Sequence, residues 1–394
     1  MSIIKKYNGR NNIEKSYLFA KEMIAKFLAF AIPHARYIQR FLALPYCFLF
    51  LSNLKEIDHP KHRIALDFLY IFFVLKSFPD NYQPCRLWKK PKSDWAYYYG
   101  SNYNPFQRRA LRTKLQIKKY EILYEDKWIC TDLCKAKNIP LPLFVGNIKA
   151  GENFAKSIRK ITQDFPKISR FIIKPIDGKG GHAIIVVERF GENLYKLEDG
   201  KRIEIPNHVA NTTYIVQEYI SQHHLLNEFS NSVNTIRIVT LLRPDGTVHI
   251  IGSYLRFGVG DSPIDNLSQG GIAVRIEAQS GTLASCALDR FGHQFSVHPT
   301  SGKAFENFTV PHWSGVVRLA TEIQQKLNYQ LLLGMDIAVT ENGPILIEIN
   351  SIYDNVDLEQ VCGPILKNQE TFELYKDYGL LINKKQKMIA YSKY

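Results

Sequence analysis

No C-x-x-C pair occurs in the sequence, and the six cysteines (Cys47, Cys85, Cys130, Cys134, Cys286 and Cys362) have no histidines at zinc spacing beside them. A zinc site is therefore not expected. Cys130 and Cys134 fall four apart, the spacing of two small packing residues on one helix face. The pattern G-x-x-x-x-G-K-[ST] is absent, which excludes a Walker-type phosphate loop. No motif places a Ser-His-Asp set. No recognised nucleic-acid module appears, so we expect no nucleic-acid partner. The uncharged run Phe41 to Leu54 is too short for an ordinary spanning helix. There is no internal repeat, low-complexity tract or secretory leader pattern. Scattered cysteines in a large chain fit the reducing cytoplasm, which is the expected location.

Apolar residues are plentiful, 45% of the 394 residues with 12% aromatic, enough for two or three cored domains. Lys and Arg outnumber Asp and Glu by 51 to 37, a formal charge of +14. That balance favours an anionic partner such as a nucleotide, an acidic sugar or an anionic lipid. Residues 1–120 read as a helical N-terminal region. Ser16 to Ile32 is apolar with a narrow stripe of Lys21, Glu22 and Lys26, and Ile64 to Leu75 is a further apolar stretch. Either these helices cover a catalytic core, or they attach to a membrane surface with Arg36, Arg40 and Lys55 among the headgroups. Asp80 to Tyr103 reads as a packed connection. Phe106 to Tyr124 reads as a basic helix with Leu111, Leu115, Ile117 and Ile122 inward.

The stretch Gly334 to Asn350, GMDIAVTENGPILIEIN, reads as a hairpin with its turn at Asn342-Gly343. Alternation sets Asp336 apart from Met335 and Ile337, and puts Leu346, Glu348 and Asn350 opposite Ile345, Ile347 and Ile349. A two-residue Asn-Gly turn would pair Asp336 with Ile349 and throw the two acids onto opposite faces. A wider turn, which Pro344 suits, or a bulge brings them together. Two carboxylates and an amide then form an oxygen cage suited to magnesium; the other reading is an edge hairpin with solvated acids.

Upstream, Asp126 is a plausible N-cap for a helix that opens with Lys127 and is stopped by Pro140 and Pro142. Phe171 to Lys174 and Ile184 to Glu188 are strands joined by DGKGGHA, Asp177 to Ala183. A glycine-rich loop between strands lets backbone N–H groups approach phosphate oxygens, although a plain turn has the same composition. Lys127 and Lys174 offer point charges for phosphates. Tyr214 to Ile220 is another strand, with Gln217, Glu218 and Ile220 at its end. Arg237 and Arg256 lie on apolar strands and suit either a buried acid or a phosphate. His223-His224 read as exposed turn residues. His298 and Trp313 either shape a cleft or brace the fold, and Asp354 and Asp357 are acidic enough to attract an ammonium.

The order of these pieces resembles the ATP-grasp superfamily, an α+β fold in which two lobes clamp ATP, over roughly Tyr124 to Glu359. VNTIRIVTL (Val233 to Leu241), NLSQGG (Asn266 to Gly271), HPTSGK (His298 to Lys303), VPHW (Val310 to Trp313) and the late hairpin further resemble its sugar-transfer-associated group. The resemblance implies an N-terminal lobe over 121–222 and a C-terminal lobe over 223–394. It implies ATP phosphates on Lys127 and Lys174 under a loop of Gly178, Gly180 and Gly181, and adenine near Gln217, Glu218 and Ile220. Arg237 and Arg256 would face the transferring phosphate and the activated acid. Asp336, Glu348 and Asn350 would bind Mg2+. The activity implied is ATP-dependent joining of a carboxylate to an amine, in cell-surface polysaccharide assembly, with a saccharide or small-molecule acid and a lipid-linked saccharide or membrane surface as partners. A kinase acting on a hydroxyl and a non-catalytic membrane-associated nucleotide binder are the alternatives. The helical region before the first lobe departs from the family's usual α/β domain. The ribose-binding acid is not obvious, Glu228 being the nearest.

Overall fold

Residues 111–365 build two antiparallel sheets, while the described residues before them and those from 366 onward form a separate unit of helices and turns. The computed structural model describes residues 57–75, 77, 79–100, 111–178, 183–198, 201–260, 262, 265–381 and 384–391. Ser16 to Ile32, Phe41 to Leu54, Phe106 to Ala110 of the expected basic helix, and Lys179 to His182 of the glycine loop lie outside these residues.

In the helical unit, α1 (Lys61–Phe73) buries Ile64, Phe68, Ile71 and Phe72, one stripe at helical spacing. Asp67 is buried beside that stripe, accepting from the Tyr82 hydroxyl at 2.8 Å and pairing with Lys92 at 2.8 Å. Short 3-10 turns and the aromatic residues Tyr82, Trp95 and Tyr98 complete this core.

The expected helix from Phe106 to Tyr124 is not continuous in its described part. A helical turn from Leu111 gives way to a 3-10 turn, Lys118–Tyr120, and a one-turn helix, Ile122–Glu125. The side-chain amide of Gln330 takes both backbone groups of Ile117, donating to its C=O and accepting from its N–H, which interrupts the helical ladder. Leu111 and Leu115 point inward as expected, but Ile122 is exposed.

α2 (Lys127–Ala136) starts where Asp126 caps it, accepting from the N–H groups of Trp128 and Ile129. It ends at Lys137, ahead of the two prolines, because Asn138 turns left-handed. There follow β1 (Phe144–Ile148), α3 (Phe154–Gln163), β2 (Arg170–Pro175), β3 (Ile185–Phe190), β4 (Asn193–Glu198), β5 (Lys201–Ile203) and β6 (Tyr214–Glu218). They form a six-stranded sheet in the order β1-β6-β2-β3-β4-β5. Phe154, Ala155 and Ile158 of α3 pack on Phe171, Ile173, Val187 and Val216.

The second sheet holds β7 (Thr235–Leu242), β8 (Val248–Phe257), β9 (Ile272–Ile276), β10 (Leu283–Leu288) and β11 (Gln294–Phe295). After α4 (Trp313–Lys326) it takes in β12 (Leu332–Thr340) and β13 (Gly343–Asn350), giving the order β11-β10-β9-β8-β7-β12-β13. Val316, Leu319 and Ile323 of α4 cover one face, against Ile236, Ile238, Met335 and Ile337. The opposite face therefore carries Arg237, Asp336 and their cross-strand neighbours. α5 (Asn355–Cys362) packs on that side of β8, where Leu358 and Cys362 close on Gly252.

The hairpin forms with its turn one residue earlier than expected, and of the two arrangements open to it the bulge is the one adopted. The turn is Glu341-Asn342, since Thr340 pairs with Gly343, and Pro344 already lies in β13. The register then slips between Asp336 and Ile337: Ile337 pairs with Leu346, but Asp336 pairs with Glu348, leaving Ile347 as the extra residue of a bulge. The bulge reverses the phase of β13, so Leu346 shares a face with Ile349 and both are buried.

α6 (Gln369–Asp377) and α7 (Lys384–Tyr391) end the chain in the helical unit. There the Tyr99 hydroxyl donates to the Leu380 C=O and Gln386 donates to the Ala96 C=O.

Candidate functional site

The bulge at Ile347 decides the geometry of the candidate site. It sets Asp336 and Glu348 directly opposite each other on one face, with Asn350 two residues further along the same face. On the other side of β12, Arg237 of β7 lies across from Asp336. Asp336 is 4% exposed and both its oxygens are engaged. Arg237 grips it in a two-pronged fashion, Nε to Oδ1 and Nη2 to Oδ2, and Arg256 of β8 reaches Oδ2 at 3.0 Å. Burial works to raise the Asp336 pKa, but the charges and hydrogen bonds of the two arginines hold it down at about 2. Both sequence alternatives for Arg237 thus meet in one place: it pairs a buried acid, and that acid belongs to the candidate site.

Lys127 joins the two sheets. Its Nζ donates to the Gly178 C=O at 2.5 Å and pairs with Glu348 at 3.2 Å. It reaches both from the first position of α2, which the Asp126 cap fixes. Gly178 begins the glycine loop under a packing constraint, since a Cβ there would stand 2.5 Å from the Pro175 ring. Lys174, near the end of β2, is buried. Burial lowers its pKa to about 8, Lys127 adds to the lowering, and Glu348 and Asp336 oppose it. Lys127, Lys174, Gln217 and Glu348 line one pocket, whose apolar wall includes Tyr124, Cys130, Ile215, Leu346 and Ile349. The pocket draws on β2 and β6 of one sheet and β13 of the other, so it opens between them.

Gln217 is buried in that pocket, and its Oε1 has no hydrogen-bond partner among the described residues. The Glu218 side chain is exposed, and its N–H is taken by the Leu143 C=O; the next N–H, of Tyr219, goes to the Arg170 C=O. Ile220 is half-buried just beyond. Gly180 and Gly181, with His182, lie outside the described residues.

One acid escaped the sequence reading. Asp265 is buried, accepts from both the N–H and the hydroxyl of Thr235, and lies 3.7 Å from Arg256 Nε. Burial raises its pKa against the pull of Arg256 and Thr235. It positions Arg256, whose guanidinium also donates to the Thr235 hydroxyl. Its signal was its place directly before NLSQGG. Gly271 of that motif packs so close to the Asp265 and Phe257 carbonyls, 2.5 and 2.9 Å from a built Cβ, that no side chain fits.

Other candidates settle into structural parts. His298 donates from one ring nitrogen to the Gly258 C=O, and the other accepts from the N–H groups of Thr300 and Ser301, so it braces the HPTSGK turn. Trp313 donates to the Ala278 C=O. Glu228, the candidate ribose acid, is paired with Lys303. Asp354 caps α5 by accepting from the Val356 N–H. Asp357, on the first turn of α5, has its pKa raised by desolvation and by Asp354, while Arg237 and Arg256 oppose. His223 is buried, contrary to expectation, while His224 is exposed.

The donor set fits a magnesium ion. Asp336, Glu348 and Asn350 offer hard oxygens on one face, and Asp336 Oδ1 accepts from Arg237 alone and keeps a lone pair.

The sequence model of the family described as sugar-transfer associated ATP-grasp matches residues 107–371. Among curated proteins no relative matches the chain. Solved structures that resemble it include phosphoribosylamine–glycine ligase from Thermotoga maritima, at 13% identity and TM-score 0.41 over 67% of this chain and 57% of that one. D-alanyl-alanine synthetase A from Vibrio cholerae resembles it at 14% identity and TM-score 0.38 over 66% of each chain. N5-carboxyaminoimidazole ribonucleotide synthetase from Thermotoga maritima does so at 10% identity and TM-score 0.34, over 64% of this chain and 51% of that one. The chain thus spans between half and two thirds of the length of these structures, and such distant likenesses carry no argument about activity. The family match covers most of the chain and contains both sheets, the lysine pair and the acid hairpin: the chain belongs to the sugar-transfer-associated ATP-grasp family, with its α+β fold.

Proposed function

We propose that the protein is an ATP- and Mg2+-dependent carboxylate–amine ligase working through an acyl phosphate, in the assembly of a cell-surface polysaccharide. The observation that carries the reading is Lys127. A single ammonium touches the glycine-loop carbonyl and the hairpin carboxylate, which ties the phosphate-binding side to the metal-binding side. ATP would lie in the pocket between the sheets, its adenine by Gln217, Glu218 and Ile220 and its phosphates on Lys127 and Lys174. Magnesium, held by Asp336, Glu348 and Asn350, would supply charge neutralisation for the phosphates.

The substrate carboxylate attacks the γ-phosphorus, and the bond to the β-phosphate oxygen breaks, giving ADP and an acyl phosphate. The amine then attacks the acyl carbon, inorganic phosphate leaves, and the amine's proton is lost. Arg237 and Arg256 stand on the face where the transferring phosphoryl group and the acid must meet, and Asp265 positions Arg256. Releasing the Asp336 contact toward substrate would redirect their positive charge onto the developing anion. Asp357 flanks this face, near Arg237 and Arg256, and would suit the ammonium form of the incoming amine. An acyl phosphate hydrolyses readily, so the loop from Gly178 serves to exclude water.

The test is ADP release with panels of sugar acids and amines, with hydroxylamine as substitute amine. ADP release tied to hydroxamate formation is the expected result. Stable phosphorylation of a hydroxyl would overturn the ligase reading in favour of a kinase. ATP binding without turnover on every acid and amine would favour a non-catalytic nucleotide binder.

A further inference from the structure

We propose that His223, His224 and Glu341 form a second metal site, for a late first-row divalent ion of the zinc, cobalt or nickel class. One ligand atom from each lies within 4.8 Å of the others. His224 Nδ1 is 2.9 Å from one Glu341 oxygen, and His223 Nε2 is 3.5 Å from the other. The imidazole centroids are 4.5 Å apart, which keeps both rings beside the Glu341 carboxylate. Sequence spacing does not reveal this cluster, because the turn of the hairpin brings Glu341 to the histidine pair from 117 residues away.

The backbone holds the ligands in place. Glu341 accepts from the His224 N–H at 2.7 Å, and the His223 N–H donates to the Val339 C=O at 2.8 Å. His312 adds a third imidazole, its centroid 5.6 Å from that of His223, on a backbone held left-handed at φ 54. Two imidazoles and one carboxylate select borderline ions over magnesium, which prefers oxygen alone. The site is distinct from the Asp336–Glu348 pair, since Glu341 stands in the turn beyond the end of β12, about 16 Å from Asp336 at strand rise.

Proton bookkeeping is simple. Each neutral ring moves its proton to its other nitrogen as the ion takes the one facing Glu341. For His224 the proton moves to the solvent side. For His223 the cost is the long 3.3 Å bond that its Nδ1 accepts from the Leu225 N–H. His223 lies on the segment that leaves β6 for the second sheet, and Glu341 forms the turn of the acid hairpin. A bound ion would therefore clip the crossing between the two sheets to the element that carries Asp336 and Glu348.

The test uses full-length, tag-free protein stripped with chelator and titrated with Zn2+ by calorimetry, with Co2+ absorption as a second readout. About one equivalent should bind, raise the thermal midpoint, and resist competition by excess Mg2+. His224→Ala and Glu341→Gln, both at exposed positions, should each weaken Zn2+ binding by at least about tenfold and abolish the thermal shift. The Co2+ spectrum should lack thiolate charge transfer, since no cysteine is a ligand. Unchanged Zn2+ affinity in both variants, absence of binding at millimolar Zn2+, or displacement by Mg2+ would each overturn the site. None of these outcomes depends on the ligase reading.

Discussion

Asp336 has two duties that a pair of substitutions separates. It is the counter-ion of two buried guanidinia, and it is the candidate metal ligand. Asp336→Asn keeps the shape but leaves Arg237 and Arg256 without their shared charge, a change that costs about 3–5 kcal/mol for a buried pair. Glu348→Gln removes a carboxylate that is a third exposed and paired with Lys127 alone among these cations, so stability should change by about 1 kcal/mol or less. Both variants should lose ATP turnover, and only the first should lower the thermal midpoint sharply; equal midpoints would break the distinction. Because the Asp336 pKa is depressed, its contribution to stability is complete above the ordinary carboxylate range and is lost as pH falls from there through about 2. Lys174 gives the opposite dependence for nucleotide binding. Its free pKa is about 8, and phosphate favours the ammonium, so above pH 8 binding must take up a proton. Affinity should then fall with rising pH by at most about tenfold per unit, and calorimetry in buffers of different ionisation heat should register the uptake. Lys174→Met should abolish both effects. The residue types of this site were legible in the sequence because an acid, a lysine or an arginine on an otherwise apolar strand stands out. Asp265 did not stand out, since an aspartate in a loop is the ordinary case and its burial depends on folding back onto Thr235.

At the scale of elements, alignment of the site rests on a helix cap and a bulge. Asp126→Ala should remove about 1 kcal/mol of stability by freeing the N–H groups of Trp128 and Ile129. It should also loosen Lys127 at the first turn of α2, so the KM for ATP should rise several-fold with little change in kcat. A rise in KM without any stability loss would mean the cap is not what holds Lys127. The hairpin shows what a sequence conveys about an element and what it withholds. Alternation identified two strands and their acids, because period-two burial is written in the residue types. The turn position and the bulge were open, since TENGP suits more than one loop and an extra residue such as Ile347 is apolar like its neighbours. The first helix of the sheet unit failed for a different reason. Its period was real, but Gln330, distant in sequence, supplies hydrogen bonds that replace the local ladder at Ile117.

For the whole molecule, the question is what the +14 charge and the helical unit are for. Among the described residues no helix is long and apolar enough to cross a membrane. Yet α1 leaves Leu66, Leu69 and Phe73 exposed at helical spacing, with Lys61 and Arg63 at its start. Exposed apolar side chains in one stripe beside basic residues are the composition of a surface that lies on a bilayer, the cations among anionic headgroups and the rings below. The apolar stretches Ser16 to Ile32 and Phe41 to Leu54 precede it in the sequence. A ligase acting on a lipid-linked acidic saccharide would gain from such attachment, because substrate and enzyme would share a surface. The full chain should therefore cosediment with vesicles containing anionic lipid, less so at high salt, since Coulomb attraction is screened while apolar insertion is not. Removing residues 1–55 should shift it to the supernatant while the sheet unit stays folded by circular dichroism. Leu66→Ser with Phe73→Ser in the full chain should weaken binding further at high salt, where only the apolar contribution remains. Partition unchanged by the truncation would instead assign the helical region to covering the catalytic core.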